Sequence, residues 1–182
     1  MSKAIGMVEL SSIAKGIETS DYMVKAAQVD LLRSSTVCPG KYVAIIAGDL
    51  SAVRAAVERA RATRPEELID DFVLGNPDPS IFPAIYGTSQ VENVSALGIL
   101  ETYDAASIIV AADIAAKTAI VQLIELRIAK GMCGKSYLLI TGEVAACEAA
   151  IAAATESVGE KGMFLDSSVI AHPDAQICKT IL

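Results

Sequence analysis

The sequence predicts an α+β protein assembled from two tandem copies of one β-α-β-β-α-β unit. Three observations predict it: an internal repeat that spans nearly the whole chain, short apolar runs alternating with stretches of helical spacing, and a Gly/Pro-rich gap between the copies. Ala4-Ile5-Gly6-Met7-Val8-Glu9-Leu10 recurs as Ala96-Leu97-Gly98-Ile99-Leu100-Glu101-Thr102. At the same shift of 92, Ala14 meets Ala106, Asp21 meets Asp113, Lys25 meets Lys117 and Leu31 meets Leu123. Beyond the first glycine turn the shift is 94, with Gly40-Lys41 meeting Gly134-Lys135, so the second copy has gained two residues inside that turn.

Each element follows from local chemistry. Lys3 to Leu10 reads as a strand with apolar Ile5, Met7 or Val8, and Leu10. Ser11 or Ser12 can cap a helix that carries Ile13, Ile17 and Val24 at helical spacing and closes near Ala27. Val29 to Val37 and Tyr42 to Ala47 are strands either side of the turn, and Gly48-Asp49 ends the second of them. A helix from Ser51 to about Ala62 places Val53, Ala56, Val57 and Ala60 on one side, and Leu68 to Leu74 is the fourth strand. The second copy runs Ser95–Thr102, Asp104–Ala119, Val121–Ala129, Ser136–Thr141, Val144–Glu156 and Gly162–Ile170, followed by Ala171-His172-Pro173 and a short tail. The domain spans are therefore 1–75 and 95–182. Residues 76–94, crowded with Asn76, Pro77, Pro79, Pro83 and Gly87, form a linker anchored by Ile81, Phe82, Ile85 and Tyr86. A four-stranded sheet with helices on one face leaves its other face to be covered, so self-association is expected.

The chain has 182 residues, 53% of them hydrophobic, 20% charged, no Trp and a net charge of -7. That composition describes a well-cored protein of one large or two small domains. No apolar run has the length of a membrane span and the start lacks a signal-peptide core, so the expectation is cytoplasmic, with no membrane partner. An acidic balance with scattered Lys and Arg argues against a nucleic-acid partner. No enzyme motif stands out either. There is no Ser/His/Asp set, and Gly131-Met132-Cys133-Gly134-Lys135 lacks the spacing of a phosphate-binding loop, so the chain is not expected to be an enzyme.

Four cysteines stand far apart, with no Cys-x-x-Cys pair. Cys147, inside an Ala-rich helix, reads as a small core residue, and Cys178 as a tail residue without assigned chemistry. Cys38 differs. In Cys38-Pro39-Gly40-Lys41 it occupies a punctuated turn between two strands, where a thiol is displayed rather than packed. One sulfur per chain is too few for zinc or an iron–sulfur cluster, so read from spacing alone Cys38 is a surface thiol in a loop.

The paired copies, each opening Ala-(Ile/Leu)-Gly-x-x-Glu, carrying Asp-x-x-x-Lys at the end of the first helix and a glycine turn before a strand ending Gly-(Asp/Glu), resemble the bacterial microcompartment shell-protein family. The resemblance covers about Ala4 to Pro173 and is closest to the tandem-domain class. The Cys38 turn is similar to that of iron–sulfur-bearing tandem shell proteins of propanediol-utilisation microcompartments. The resemblance implies two ferredoxin-like domains per chain and a flat homotrimeric pseudohexamer that tiles with other shell proteins. In such a tile the turns holding Val37, Cys38, Pro39, Gly40 and Gly131, Met132, Cys133, Gly134 surround a central pore. It further implies that three Cys38 thiolates hold one [4Fe-4S] cluster for electron or cluster transfer, with a redox enzyme as a further partner.

The family's tile-edge lysine falls on Lys25 and Lys117, which by spacing alone are helix-surface lysines paired to Asp21 and Asp113. Cys133 departs from the family pattern and stands as a ligand, a resolving thiol or a residue buried against Met132. The Arg-Pro-His with which the family often ends its last strand survives only in part, as Ala171-His172-Pro173, and His172 reads as an edge or interface residue. Two other readings stay open: a shell tile with an open metabolite pore and no cluster, and a ligand-sensing trimer of ferredoxin-like domains.

Overall fold

The computed structural model describes residues 4–181. Lys3, where the sequence starts the first strand, and Leu182 lie outside them. The chain divides into two compact units, Met1–Pro77 and Asp78–Leu182. The first contains β1 (Ala4–Leu10), α1 (Ile13–Ala26), β2 (Val29–Val37), β3 (Lys41–Gly48), α2 (Leu50–Thr63) and β4 (Leu68–Leu74). The second contains α3 (Ile81–Tyr86), β5 (Ala96–Thr102), α4 (Ala105–Thr118), β6 (Val121–Arg127), β7 (Ser136–Gly142), α5 (Val144–Glu160), β8 (Phe164–Ile170) and α6 (Ala175–Ile181).

Each unit builds one four-stranded sheet, in the order β2-β3-β1-β4 and β6-β7-β5-β8. The paired strands are antiparallel throughout. The predicted β-α-β-β-α-β order is present twice. Even the irregularities repeat: the register shifts between Leu31 and Arg33 and again between Leu123 and Glu125, the same place in both copies. Strand β1 is buried at all seven positions, so apart from Glu9 its residues are apolar or glycine on both faces rather than on alternate ones. Its Ala4, Val8 and Leu10 join Ala44 and Ile46 of β3 beneath Met23 of α1 and Val53, Ala56, Val57 and Ala60 of α2. Gly6 lies in the same strand because α2 crosses directly above it; a Cβ there would meet Val53 Cγ1 at 2.6 Å and Val57 Cγ2 at 2.9 Å. Gly98, its counterpart, is crowded by Ile140 and Ile151, which gives the recurring Ala-(Ile/Leu)-Gly a packing cause.

Three sequence expectations need correction. Ile13, Ile17 and Val24 mark the exposed face of α1, not the packed one; Gly16, Thr19, Ser20 and Met23 are buried instead. The reason is proximity, since a Cβ on Gly16 would come within 2.4 Å of Tyr42 Cβ, and only small residues fit between α1 and the sheet. Within 76–94 the chain forms α3, whose Ile81, Ala84 and Ile85 are buried. Pro83 lies in its first turn, where the missing N–H removes no intrahelical bond. The short tail is likewise helical, as α6.

Candidate functional site

Cys38 is held by a tight turn on a well-anchored hairpin. Val37, the last residue of β2, is buried, and its carbonyl accepts from the Gly40 N–H at 3.0 Å. Pro39 enters through a cis peptide bond and Gly40 has φ of 88°. Cys38 itself is half-buried, and a Cβ added to Gly40 would meet nothing within 4 Å. The turn therefore faces open space on its outer side.

Two contacts at its base fix the turn to the fold. Lys41 pairs with the carboxylate of Glu9, which is buried in β1, and burying a carboxylate is far less costly when it is paired. Next to it, Tyr42 OH donates to Ser34 Oγ at 2.8 Å, Ser34 Oγ to Ser20 Oγ at 3.1 Å, and Ser20 Oγ to the Gly16 carbonyl at 2.9 Å. This hydroxyl chain ties β3, β2 and α1 together just below the cysteine. Sequence reasoning missed it: Ser34 stands among Arg33, Ser35 and Thr36 in a strand where only Val37 is buried, so nothing singles it out.

The corresponding loop of the second unit is longer and built differently. Lys135 N–H donates to the Met132 carbonyl at 3.0 Å, and Ala129 N–H donates to Ser136 Oγ at 3.1 Å. Ala129, Gly131, Cys133 and Gly134 all have positive φ. Cys133 and Gly134 thus form the left-handed centre of a hairpin turn. Gly131 and Cys133 are exposed, Met132 is half-buried and Gly134 is buried. Cys133 is not buried against Met132. Cys38 and Cys133 each stand at the second position of their turns, one residue after the carbonyl that closes it. At the base of this hairpin Tyr137 OH donates to Glu125 Oε2 at 2.6 Å, while Arg127 pairs with Glu125 at 2.7 Å. Burial, reinforced by that bond, pushes the Tyr137 hydroxyl up to about 12.

The remaining sequence-selected residues lie elsewhere. Lys25 Nζ is 2.6 Å from Asp21 and Lys117 Nζ 2.7 Å from Asp113, matching pairs one turn apart near the ends of α1 and α4. Cys147 is fully buried, and desolvation raises its thiol pKa. Cys178 is half-buried and His172 exposed. Among the described residues no three His, Cys, Asp or Glu side chains are grouped so as to hold a metal ion. A single chain offers one sulfur at each turn and no completed centre.

The BMC domain family matches residues 4–77 and again 96–173. The chain belongs to the BMC domain family. It is 43% identical over 173 residues to the bacterial microcompartment shell protein PduT of Citrobacter freundii, covering 95% of this chain and 94% of that one. The carboxysome shell protein CcmK2 of Synechocystis is 32% identical over 99 residues, which is 50% of this chain and 95% of the relative. Half of this chain thus spans almost a whole relative, as a tandem duplication requires. A crystal structure of a microcompartment protein from Desulfitobacterium hafniense superposes with a TM-score of 0.95 at 45% identity, covering 98% of this chain and 99% of that one. This is a tandem two-domain shell protein of the PduT type, and its place is the shell of a bacterial microcompartment. The family is structural, and its members assemble with other shell proteins. Among the described residues no helix is long and apolar enough to cross a membrane.

Proposed function

We propose that three copies of this chain form a pseudohexameric tile in which the three Cys38 thiolates meet on the threefold axis and hold one [4Fe-4S] cluster. The observation that supports this most is the Cys38 turn: a displayed thiol on an anchored hairpin, which joins no group of three His, Cys, Asp or Glu side chains among the described residues. Closed cyclic symmetry supplies what one chain lacks, because each copy brings the same sulfur to the same place. The donor type fits, since iron–sulfur clusters are held by thiolates, and the open space beside Gly40 leaves room for a group at the turn. When bound, the cluster supplies one-electron chemistry.

The chain's own residues do the positioning. Glu9 and Lys41 hold the base of the turn, and the Tyr42–Ser34–Ser20 chain keeps the hairpin from swinging. The tile serves as a structural element, not an enzyme, passing electrons or clusters to a redox partner at the shell. Lys25 and Lys117 line the tile edge that meets other shell proteins. The loop of Gly131, Met132, Cys133 and Gly134 alternates with the Cys38 turn around the pore.

Anaerobic purification followed by iron–sulfur reconstitution tests this. Wild-type protein is expected to be brown, with about four irons per trimer, and Cys38→Ser to be colourless while remaining trimeric. Cys133→Ser should keep the colour. A colourless wild type after reconstitution overturns the cluster and leaves a tile with an open metabolite pore.

A further inference from the structure

Each domain is followed by the same short segment, and only one of the two segments is seated. Asn76-Pro77-Asp78-Pro79-Ser80-Ile81 follows β4, and His172-Pro173-Asp174-Ala175-Gln176-Ile177 follows β8; further on, Ile85 corresponds to Ile181. Both fold alike. Asp78 Oδ1 accepts from Ser80 N–H at 2.9 Å and Asp174 Oδ1 from Gln176 N–H at 2.8 Å, and each turn opens a short helix, α3 and α6.

Their surroundings differ. Helix α3 packs against α4 and β6 of the domain that follows it, burying Ile81, Ala84 and Ile85, and Asp78 N–H donates to Asp113 Oδ1 at 2.7 Å. Among the described residues helix α6 has none buried: Ile177 is 49% exposed, and Ile181 leans on the sheet of its own domain. The surface equivalent to the α3 seat is α1 and β2, and it is open. Ile17 is 56% exposed where its counterpart Ile109 is 0%, and Leu31 is 44% where Leu123 is 3%. The Asp21 side chain is 50% exposed where that of Asp113 is 8%. One seat is filled, and the other lacks its helix.

We propose that His172–Ile181 of one copy docks on α1 and β2 of a second copy, as 76–86 docks on α4 and β6 within the chain. Asp174 N–H then donates to Asp21 of the second copy, Ile177 covers its Ile17 and Leu31, and Ile181 exchanges its contact with Leu97, Ile124 and Leu139 for the same surface. The occupant is another copy because the open seat repeats the filled one residue for residue, Ile17, Asp21 and Leu31 standing where Ile109, Asp113 and Leu123 receive α3, and His172–Ile181 is the segment that repeats 76–85. Three such head-to-tail steps close a ring, so the inference rests on the trimer proposed above.

Cysteine cross-linking tests it. The Asp78 N–H bond to Asp113 Oδ1 at 2.7 Å brings the two backbones close to the Cα separation, roughly 4.4–6.8 Å, that a disulfide spans. Asp21→Cys/Asp174→Cys, in a background of Cys38→Ser, Cys133→Ser and Cys178→Ser, is expected to give reductant-sensitive dimer and trimer bands from most of the protein. The control pair Asp78→Cys/Asp113→Cys should give only monomer-sized chains. A trimer by light scattering with no interchain link, or a link confined within one chain, overturns the docking and leaves the tile intact. A monomer by light scattering, in wild type as well, overturns both. Ile177→Asp, at a position open in the single chain, should weaken trimer association at least tenfold without loss of helical signal; unchanged association also overturns the docking.

Discussion

Glu18 shows how a single residue couples the helices of the first domain. Its carboxylate accepts from Tyr22 OH at 2.6 Å and Lys15 Nζ at 3.1 Å, and pairs with Arg64 at 2.6 Å. The Tyr22 bond first, then Arg64 and Lys15, lower its pKa from 4.5 to about 2. A carboxyl depressed by folding stabilises the native state above its ordinary pKa and loses that contribution as pH falls through the folded value. Carboxyl NMR should therefore place the Glu18 midpoint near 2, and Arg64→Ala should move it upward. A wild-type midpoint near 4.5 would refute the network. Lys15, Glu18 and Tyr22 are legible in sequence, because three- and four-residue spacings make helix neighbours. Arg64 is not, since it caps a different helix, and neither is the Ser20–Ser34–Tyr42 chain, which joins three elements. Cys38 was legible because proline and glycine announce a turn wherever they cluster.

At the level of elements, the packing of α1 carries a prediction of its own. Alanine favours helix over glycine by about 1 kcal/mol, yet Gly16→Ala should destabilise the protein by about 1–3 kcal/mol through overpacking. The obstruction is Tyr42 Cβ, which no rotamer change can move aside. Urea unfolding should show a lower midpoint at an unchanged slope, and a raised midpoint would contradict the close approach. The strands were readable because β1 and β3 are apolar and bounded by turn residues. The face of α1 was not, because apolar spacing marked a surface left open in the isolated chain while small residues marked the packed one. Helices α3 and α6 escaped notice for a related reason: each is short and entered through a Pro-Asp turn that reads locally as a break.

For the whole molecule, tiling and folding should separate experimentally. Lys25 pairs with the exposed Asp21, and pairs of that kind contribute about 0–1 kcal/mol, whereas Lys117 pairs with the buried Asp113. Lys25→Ala should accordingly unfold within about 1 kcal/mol of wild type, and Lys25→Ala/Lys117→Ala should lose extended sheets in electron micrographs. Sheets that persist unchanged would place the tile edge elsewhere. The duplication was the most legible feature of all, since one register carries Asp21, Lys25 and Leu31 onto Asp113, Lys117 and Leu123. The unequal turns have a consequence of parity. Six identical single-domain chains can present a given side chain six times around an axis or not at all. Joining two domains in one polypeptide frees the odd-numbered stations from the even, so in the trimer proposed above a mutation in one turn is copied three times, and a centre that wants three donors can arise by a single substitution.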